Sequence, residues 1–176
     1  MNLLEGPGNP KNLYKLNKKL RVRGFLFNLK ICCKIHDYKP MIEINNLTNF
    51  AMDKAFFAGV AKKVLKGENK QKENVSVAFV SPAEIQKLNK KYRRKDRPTD
   101  VLSFERVSGF KEEFSEVVIC PAIVREESKD SKLPLKKELA KMVIHGILHN
   151  LGYDHERSKK EEQVMFEKQE KYFSKV

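Results

Sequence analysis

The chain contains 176 residues, of which 40% are hydrophobic and 34% charged, so we expect one folded domain rather than a collagen-like, coiled-coil or intrinsically disordered protein. Its 36 Lys and Arg residues exceed its 23 Asp and Glu residues, and the net charge of +13 is typical of proteins that bind polyanions such as nucleic acids. The apolar stretches are far shorter than the about 20 residues of a membrane-spanning helix, which predicts a soluble protein with no membrane partner.

The first 40 residues are more basic than the rest of the chain. They contain nine Lys or Arg residues, two acidic residues and no Ser or Thr, a composition that fits neither a secretory signal nor an organelle transit peptide. We interpret residues 1–40 as a basic, partly disordered extension in which Tyr14–Phe27 can form a helix. The domain is then predicted to span residues 41–176, and Met41, which begins a strand pattern, is a candidate for its natural start.

The cysteines indicate the cellular compartment. Cys32 and Cys33 are adjacent and Cys120 is remote, so the three form no disulfide framework and indicate a reducing compartment. We therefore expect a cytoplasmic protein. Cys32, Cys33 and His36 match the spacing of no common metal site, and we do not interpret them as ligands.

Strand and helix patterns alternate from residue 41 onward. The predicted strands are Met41–Asn45, Val75–Val80, Asp100–Glu105 and Glu116–Cys120, with a loop around Gly109 between the last two. The predicted helices are Asp53–Lys66, Ser81–Tyr92, Pro134–Leu151 and Ser158–Phe173. Ser81, Pro82 and Glu84 supply an N-cap, a proline at the first helical position and a capping-box glutamate. The order predicts a single α+β domain in which a mixed sheet of about four strands packs with about five helices.

Three of the four histidines fall within eleven residues near the end of the third predicted helix. His145 and His149 are four residues apart and share one helix face. Gly152 permits the positive φ that ends the helix, so His155 can return to the same point. Three imidazoles without a fourth ligand nearby in sequence predict a catalytic site for one zinc ion, with water in the open position. Other divalent transition metals also bind imidazole.

The same histidine spacing occurs in metzincin proteases, which place a glutamate general base directly after the first histidine. This chain has Gly146 at that position. A metallopeptidase therefore lacks its proton acceptor, and the basic charge favours a phosphodiester substrate over a peptide.

A basic segment ends the second predicted helix. Lys87–Arg97 contains seven cations, one anion and one aromatic residue. Such a segment can follow a phosphate backbone while Tyr92 stacks on an unpaired base. The candidate RNA contacts are Lys90, Lys91, Tyr92, Arg94, Lys95 and Arg97.

Three blocks of the sequence, in order, resemble signature blocks of the YbeY family. They are Tyr92–Phe104, Glu116–Cys120 and His145–His155, the last with Gly146 in second place. The resemblance covers about residues 41–176. It implies a metal-dependent endoribonuclease, found in bacteria and organelles, that matures ribosomal RNA.

The resemblance also implies roles for individual residues. His145, His149 and His155 correspond to the zinc ligands, and Arg93 to the catalytic or phosphate-binding arginine. The implied substrate is single-stranded RNA, notably the 3′ end of the 16S ribosomal RNA of the small subunit. The chain departs from the family at four places. Arg94 stands where the family usually has Gly, and Glu105 where it has Pro. Ser115-Glu116 stands where it has Gly-Asp, and Asn150 where it has Leu.

Three functions are consistent with these patterns. The leading hypothesis is a zinc-dependent endoribonuclease of ribosomal RNA maturation and ribosome assembly, with single-stranded RNA and small-subunit ribosomal proteins as partners. A metallopeptidase is disfavoured by Gly146. A non-catalytic ribosome assembly factor with a structural zinc would need a fourth ligand, which Cys120 or a remote carboxylate could supply in space.

Overall fold

The computed structural model describes residues 41–105 and 114–176, so the predicted extension and the loop around Gly109 lie outside the described residues. The strands are β1 (Ile42–Asn46), β2 (Asn74–Phe79), β3 (Val101–Phe104) and β4 (Phe114–Ile119). The helices are α1 (Lys54–Gly67), α2 (Pro82–Arg93), α3 (Pro121–Glu127), α4 (Leu135–Asn150) and α5 (Lys159–Phe173). The described part thus has the α+β architecture that the sequence predicts, with four strands and five helices.

The four strands form one mixed sheet in the order β1-β2-β4-β3. β1 and β4 both run parallel to the central strand β2, and β3 runs antiparallel to β4. In this register Val77 pairs with both Ile44 and Val117. Parallel neighbours need a crossover connection, and α1 provides the one between β1 and β2.

Side chains alternate between the two faces of the sheet, and each face has its own apolar cluster. Val117 and Ile119 of β4 belong to the larger cluster, which includes buried residues of α1, α4 and α5. Val118, between them, belongs to the smaller cluster with Ile85 of α2. The helix α4 contacts β3, β4 and the helices α1, α3 and α5. It is therefore the central helix of the larger cluster, and it also carries two of the three clustered histidines.

The observed elements match the predicted ones to within one or two residues at each end. The predicted capping box is confirmed, because the Ser81 side chain accepts from the Glu84 backbone and the Glu84 side chain accepts from the Ser81 backbone. The helix α3 was not predicted from the sequence. It is only seven residues long and begins at Pro121, directly after β4. In the sequence, a proline at this place indicates the end of the strand, although proline also suits the first position of a helix.

Within residues 41–105 and 114–176, the helices are too short or too polar to cross a lipid bilayer.

Candidate metal centre

His145, His149 and His155 converge at the C-terminal end of α4. One ring nitrogen from each lies within 4.8 Å of the other two, and the Nε2 atoms of His145 and His149 are 3.1 Å apart. Two nitrogen ligands of a tetrahedral zinc ion, each at about 2.05 Å, would be about 3.3 Å apart. The spacing of the imidazoles therefore fits a single ion of zinc size.

His155 reaches the other two histidines because the chain reverses directly after α4. Gly152 has a φ of +92°, a conformation that glycine adopts without steric cost. The Tyr153 N–H then donates to the Leu148 carbonyl at 3.1 Å and closes the turn. The predicted helix-and-turn arrangement of the three histidines is thus the arrangement that the structure has.

Burial keeps two of the imidazoles in the uncharged form that coordinates metals. It lowers the pKa of His149 to about 4, with further lowering from His145 and His155. Burial also lowers the pKa of His145, against the opposing effect of its hydrogen bond to Gln169. At neutral pH both rings are therefore uncharged, and no proton has to leave them before a metal binds.

A buried glutamine, which sequence reasoning missed, contacts the first histidine. Oε1 of Gln169 on α5 lies 2.9 Å from Nδ1 of His145, and only 3% of Gln169 is exposed. The sequence signal was a polar residue on the apolar stripe that Met165 and Tyr172 mark on α5. Metal-binding histidines usually donate their second ring N–H to such an acceptor.

A buried carboxylate holds the turn between the second and third histidines, and sequence reasoning missed it too. Glu68, after the end of α1, accepts hydrogen bonds from Tyr153 at 2.6 Å, Tyr172 at 2.5 Å and Lys168 at 2.8 Å. Burial favours a raised pKa for Glu68, but the hydrogen bonds from Lys168, Tyr153 and Tyr172 outweigh it and hold the pKa below its ordinary value. The charged carboxylate therefore ties the His155 turn to α1 and α5.

Gly146 packs against the sheet where a metzincin would carry its glutamate. A Cβ atom at this position would overlap Val117 and lie 3.1 Å from the Ser103 hydroxyl. Any side chain here would force Val117 or α4 to shift. The peptidase base is therefore absent from the sequence, and α4 leaves no room for it.

A fourth protein ligand is absent from the part of the chain that the structure describes. The potential ligands that converge there are the three histidines, without a cysteine or a carboxylate. Cys120 is buried after β4, where burial raises the pKa of its thiol, and it does not belong to the group. Among these residues the arrangement resembles an open catalytic site more than a closed structural one.

The basic segment forms the end of α2 and the turn that follows. Arg93 is the last residue of α2 and is exposed, and Arg94 follows with a φ of +58°. The side chain of Lys90 pairs with Asp96 at 2.5 Å, both largely exposed. The remaining exposed cations of this segment are Lys87, Lys91, Lys95 and Arg97.

Tyr92 is more enclosed than its predicted contact with a base suggests. Its ring packs edge-to-face against Phe104 with the centroids 5.3 Å apart, and its hydroxyl is buried without a hydrogen-bond partner among the described residues. The Lys91 ammonium lies 5.1 Å from the ring centroid. Tyr92 thus anchors the end of α2, and its contact with RNA stays a prediction.

Known proteins are similar to this chain in sequence and in fold. The sequence model of the family described as Endoribonuclease YbeY matches residues 42–176. A Thermotoga maritima protein of that name is 46% identical over 103 residues, which cover 58% of this chain and 67% of the relative. One from Persephonella marina is 36% identical over 130 residues, or 72% of this chain and 85% of the relative.

A solved structure agrees with these sequence matches. The solution structure of a Thermotoga maritima protein superposes with a TM-score of 0.56 at 39% identity, covering 76% of this chain and 87% of that one. The family match includes the whole sheet, α4 and all three histidines. On these grounds the chain belongs to the Endoribonuclease YbeY family.

Proposed function

We propose that this chain is a zinc-dependent endoribonuclease that cleaves single-stranded RNA. The observation that carries the proposal is the convergence of His145, His149 and His155 without a fourth ligand among the described residues. Relatives that are 46% and 36% identical to this chain are named endoribonucleases, and the net charge of +13 suits a polyanionic substrate.

The three histidines would hold one metal ion through their ring nitrogens. A zinc ion bound there would supply Lewis-acid polarisation and activate a water molecule at neutral pH. Gln169 keeps the His145 ring oriented, and the Glu68 carboxylate keeps the turn before His155 in place. Both groups act before substrate arrives, so the chain provides a preorganised site.

We propose that Arg93 is the catalytic arginine. A planar guanidinium can hold two phosphate oxygens at once, and it stays charged at any physiological pH. Negative charge grows on those oxygens when a phosphodiester is attacked, so a positioned guanidinium lowers the barrier. The proposed additional RNA contacts are Lys90, Lys91, Tyr92, Arg94, Lys95 and Arg97.

We further propose ribosomal RNA as the substrate, with cleavage at the 3′ end of 16S RNA during small-subunit assembly in the cytoplasm. Small-subunit ribosomal proteins would then be neighbours of the enzyme. Support comes from the resemblance of the three sequence blocks and from the basic charge. Precursor small-subunit particles are accordingly the substrate to test after simple oligonucleotides.

Cleavage assays with three substrates test the proposed activity. The purified protein is incubated with an end-labelled single-stranded RNA, with the same RNA as a duplex, and with casein. We expect cleavage of the single strand, little cleavage of the duplex and none of casein. Chelation should stop the reaction and added zinc should restore it. Cleavage of casein, or RNA cleavage that persists after complete metal removal, would contradict the proposal.

A further inference from the structure

One exposed aromatic ring lies beside the metal centre. Phe166 on α5 is 48% exposed, whereas the other aromatic side chains among the described residues are buried or half-buried. Its ring centroid is 6.5 Å from that of His155, and the two ring planes are only 29° apart. Elsewhere in residues 41–105 and 114–176, the exposed large hydrophobic residues are Met41, Leu47, Leu133 and Val164.

We infer that Phe166 forms a base-binding subsite, in which an unpaired nucleobase of the RNA stacks on the phenyl ring next to the metal centre. This inference rests on the proposed endoribonuclease function. Stacking on an aromatic side chain is tolerant of sequence because every base has a π face, and it requires a base that is not already paired in a duplex. A subsite of this kind would favour single strands and would hold one nucleotide close to His155.

The charges around Phe166 favour a base over a phosphate. Glu162 and Glu170 lie one helical turn before and after Phe166, and both are exposed. Residues four apart share a helix face, so a phosphate placed on the ring would meet two carboxylates. A nucleobase carries no charge and avoids this repulsion.

The apolar surface here is too small for a protein partner. Specific protein interfaces bury about 1,200–2,000 Å² in total, far more than one phenyl ring provides. Val164 does not extend the surface, because two residues along a helix correspond to a rotation of about 200°. The patch is therefore one ring wide, which matches the size of a single base.

Substitutions at residue 166 test the subsite. Phe166→Leu keeps an apolar side chain of similar size but loses the π face, Phe166→Tyr keeps the ring, and Val164→Ala is a matched exposed control on the same helix. The zinc-loaded full chain is titrated with a short fluorescent single-stranded RNA, and KM and kcat are measured on the same RNA. We expect Phe166→Leu to bind about 5- to 100-fold more weakly, with a raised KM and a nearly unchanged kcat.

The controls should separate stacking from a loss of structure or metal. Phe166→Tyr and Val164→Ala should bind RNA as the unmodified protein does, and all three variants should retain their zinc. A single abasic nucleotide, moved along the RNA, should weaken binding by the unmodified protein at a position where Phe166→Leu loses no further affinity.

Two results would overturn the subsite while leaving the proposed function intact. The first is an RNA affinity of Phe166→Leu equal to that of the unmodified protein, with normal RNA cleavage by the latter. The second is a change in oligomeric state in Phe166→Leu, which would assign the ring to a contact between copies of the chain. Failure of the unmodified protein to cleave RNA in the presence of zinc would instead overturn the proposed function itself.

Discussion

The side-chain oxygen of Gln169 lies 2.9 Å from Nδ1 of His145, although the two residues are 24 positions apart in the sequence. An amide oxygen only accepts hydrogen bonds, so Nδ1 of the neutral imidazole must carry the proton. The lone pair is then on Nε2, the atom that faces His149. A residue of α5 thus selects the metal-binding tautomer of a histidine on α4.

Removing this acceptor should weaken metal binding. For Gln169→Leu we expect the zinc affinity to fall about 10- to 100-fold, the usual effect of losing such a hydrogen bond. Gln169→Glu retains an acceptor at the same place and should recover most of the affinity. Competition titration with a chromophoric chelator measures both, and imidazole nitrogen chemical shifts report the tautomer of His145.

Gln163→Leu is the matched control for this experiment. Gln163 lies on the same helix but is exposed and bonds only to Glu167 at 2.9 Å among the described contacts. Its loss should leave the zinc affinity unchanged. Equal affinities for the Gln169→Leu and Gln163→Leu variants would show that Gln169 does not position His145.

Arg93 and its basic neighbours should respond differently to substitution. We expect Arg93→Ala to keep its fold and its zinc but to lose about 10²-fold or more in single-turnover RNA cleavage, the scale of losing a donor that stabilises transition-state charge. Arg93→Lys should recover little, since an ammonium cannot bind two oxygens in the same fork geometry. Arg94→Ala and Lys95→Ala should mainly weaken binding. Equal, small losses for all three alanine variants would leave Arg93 without a catalytic role.

Arg94 should be a site where glycine stabilises the protein. It ends α2 in the left-handed region, at φ +58° and ψ +24°, where a side chain costs energy and glycine does not. We expect Arg94→Gly to raise the free energy of unfolding by about 0.5–1 kcal/mol, measured by urea denaturation. Arg94→Ala removes the same charge but keeps a side chain in the left-handed conformation. An equal gain in the free energy of unfolding in that variant would show that relief of charge repulsion, and not of backbone strain, stabilises the protein.

The Glu68 carboxylate should make stability depend on pH. Because its pKa is lowered in the folded state, Glu68 contributes stability above the unfolded pKa of about 4.3, and this contribution is lost as the pH falls through the folded pKa. We expect Glu68→Gln to lower the free energy of unfolding by about 2 kcal/mol at pH 7, which is the scale of hydrogen bonds to a charged group. Near pH 3 the decrease should be much smaller.

Urea denaturation of both proteins across this pH range measures the effect. Glu126→Gln is the control, since Glu126 is exposed and its pairing with Lys129 at 3.7 Å should contribute little. If the difference in free energy of unfolding between Glu68→Gln and the unmodified protein does not change with pH, the pKa of Glu68 is the same in the folded and unfolded states.

The convergence of the three histidines could be predicted from the sequence because their arrangement is local. His145 and His149 are paired by helix geometry alone, and Gly152 marks the turn that returns His155. The capping box at Ser81 and Glu84 is local in the same sense. In each case the sequence separation is short enough for ideal helix and turn geometry to fix the contact.

The supporting contacts could not be predicted, because they join distant parts of the chain. Glu68 meets Tyr153 and Tyr172 across 85 and 104 residues, and only the packing of α5 beside α1 and α4 brings them together. The sequence predicted that Tyr92 offers a stacking face to an unpaired base, but it gave no sign that Phe104 of β3 packs against the same ring. Local charge patterns do not reveal which side of a side chain the sheet will cover.

Metal analysis of the full chain and its His149→Ala variant, combined with RNA cleavage by both, tests the central claim most directly. The account predicts about one zinc ion per unmodified chain and zinc-dependent cleavage. It predicts loss of both in His149→Ala, because two remaining imidazoles bind too weakly to retain the ion. A His149→Ala protein that is folded, carries undiminished zinc and cleaves RNA at the normal rate would contradict the account.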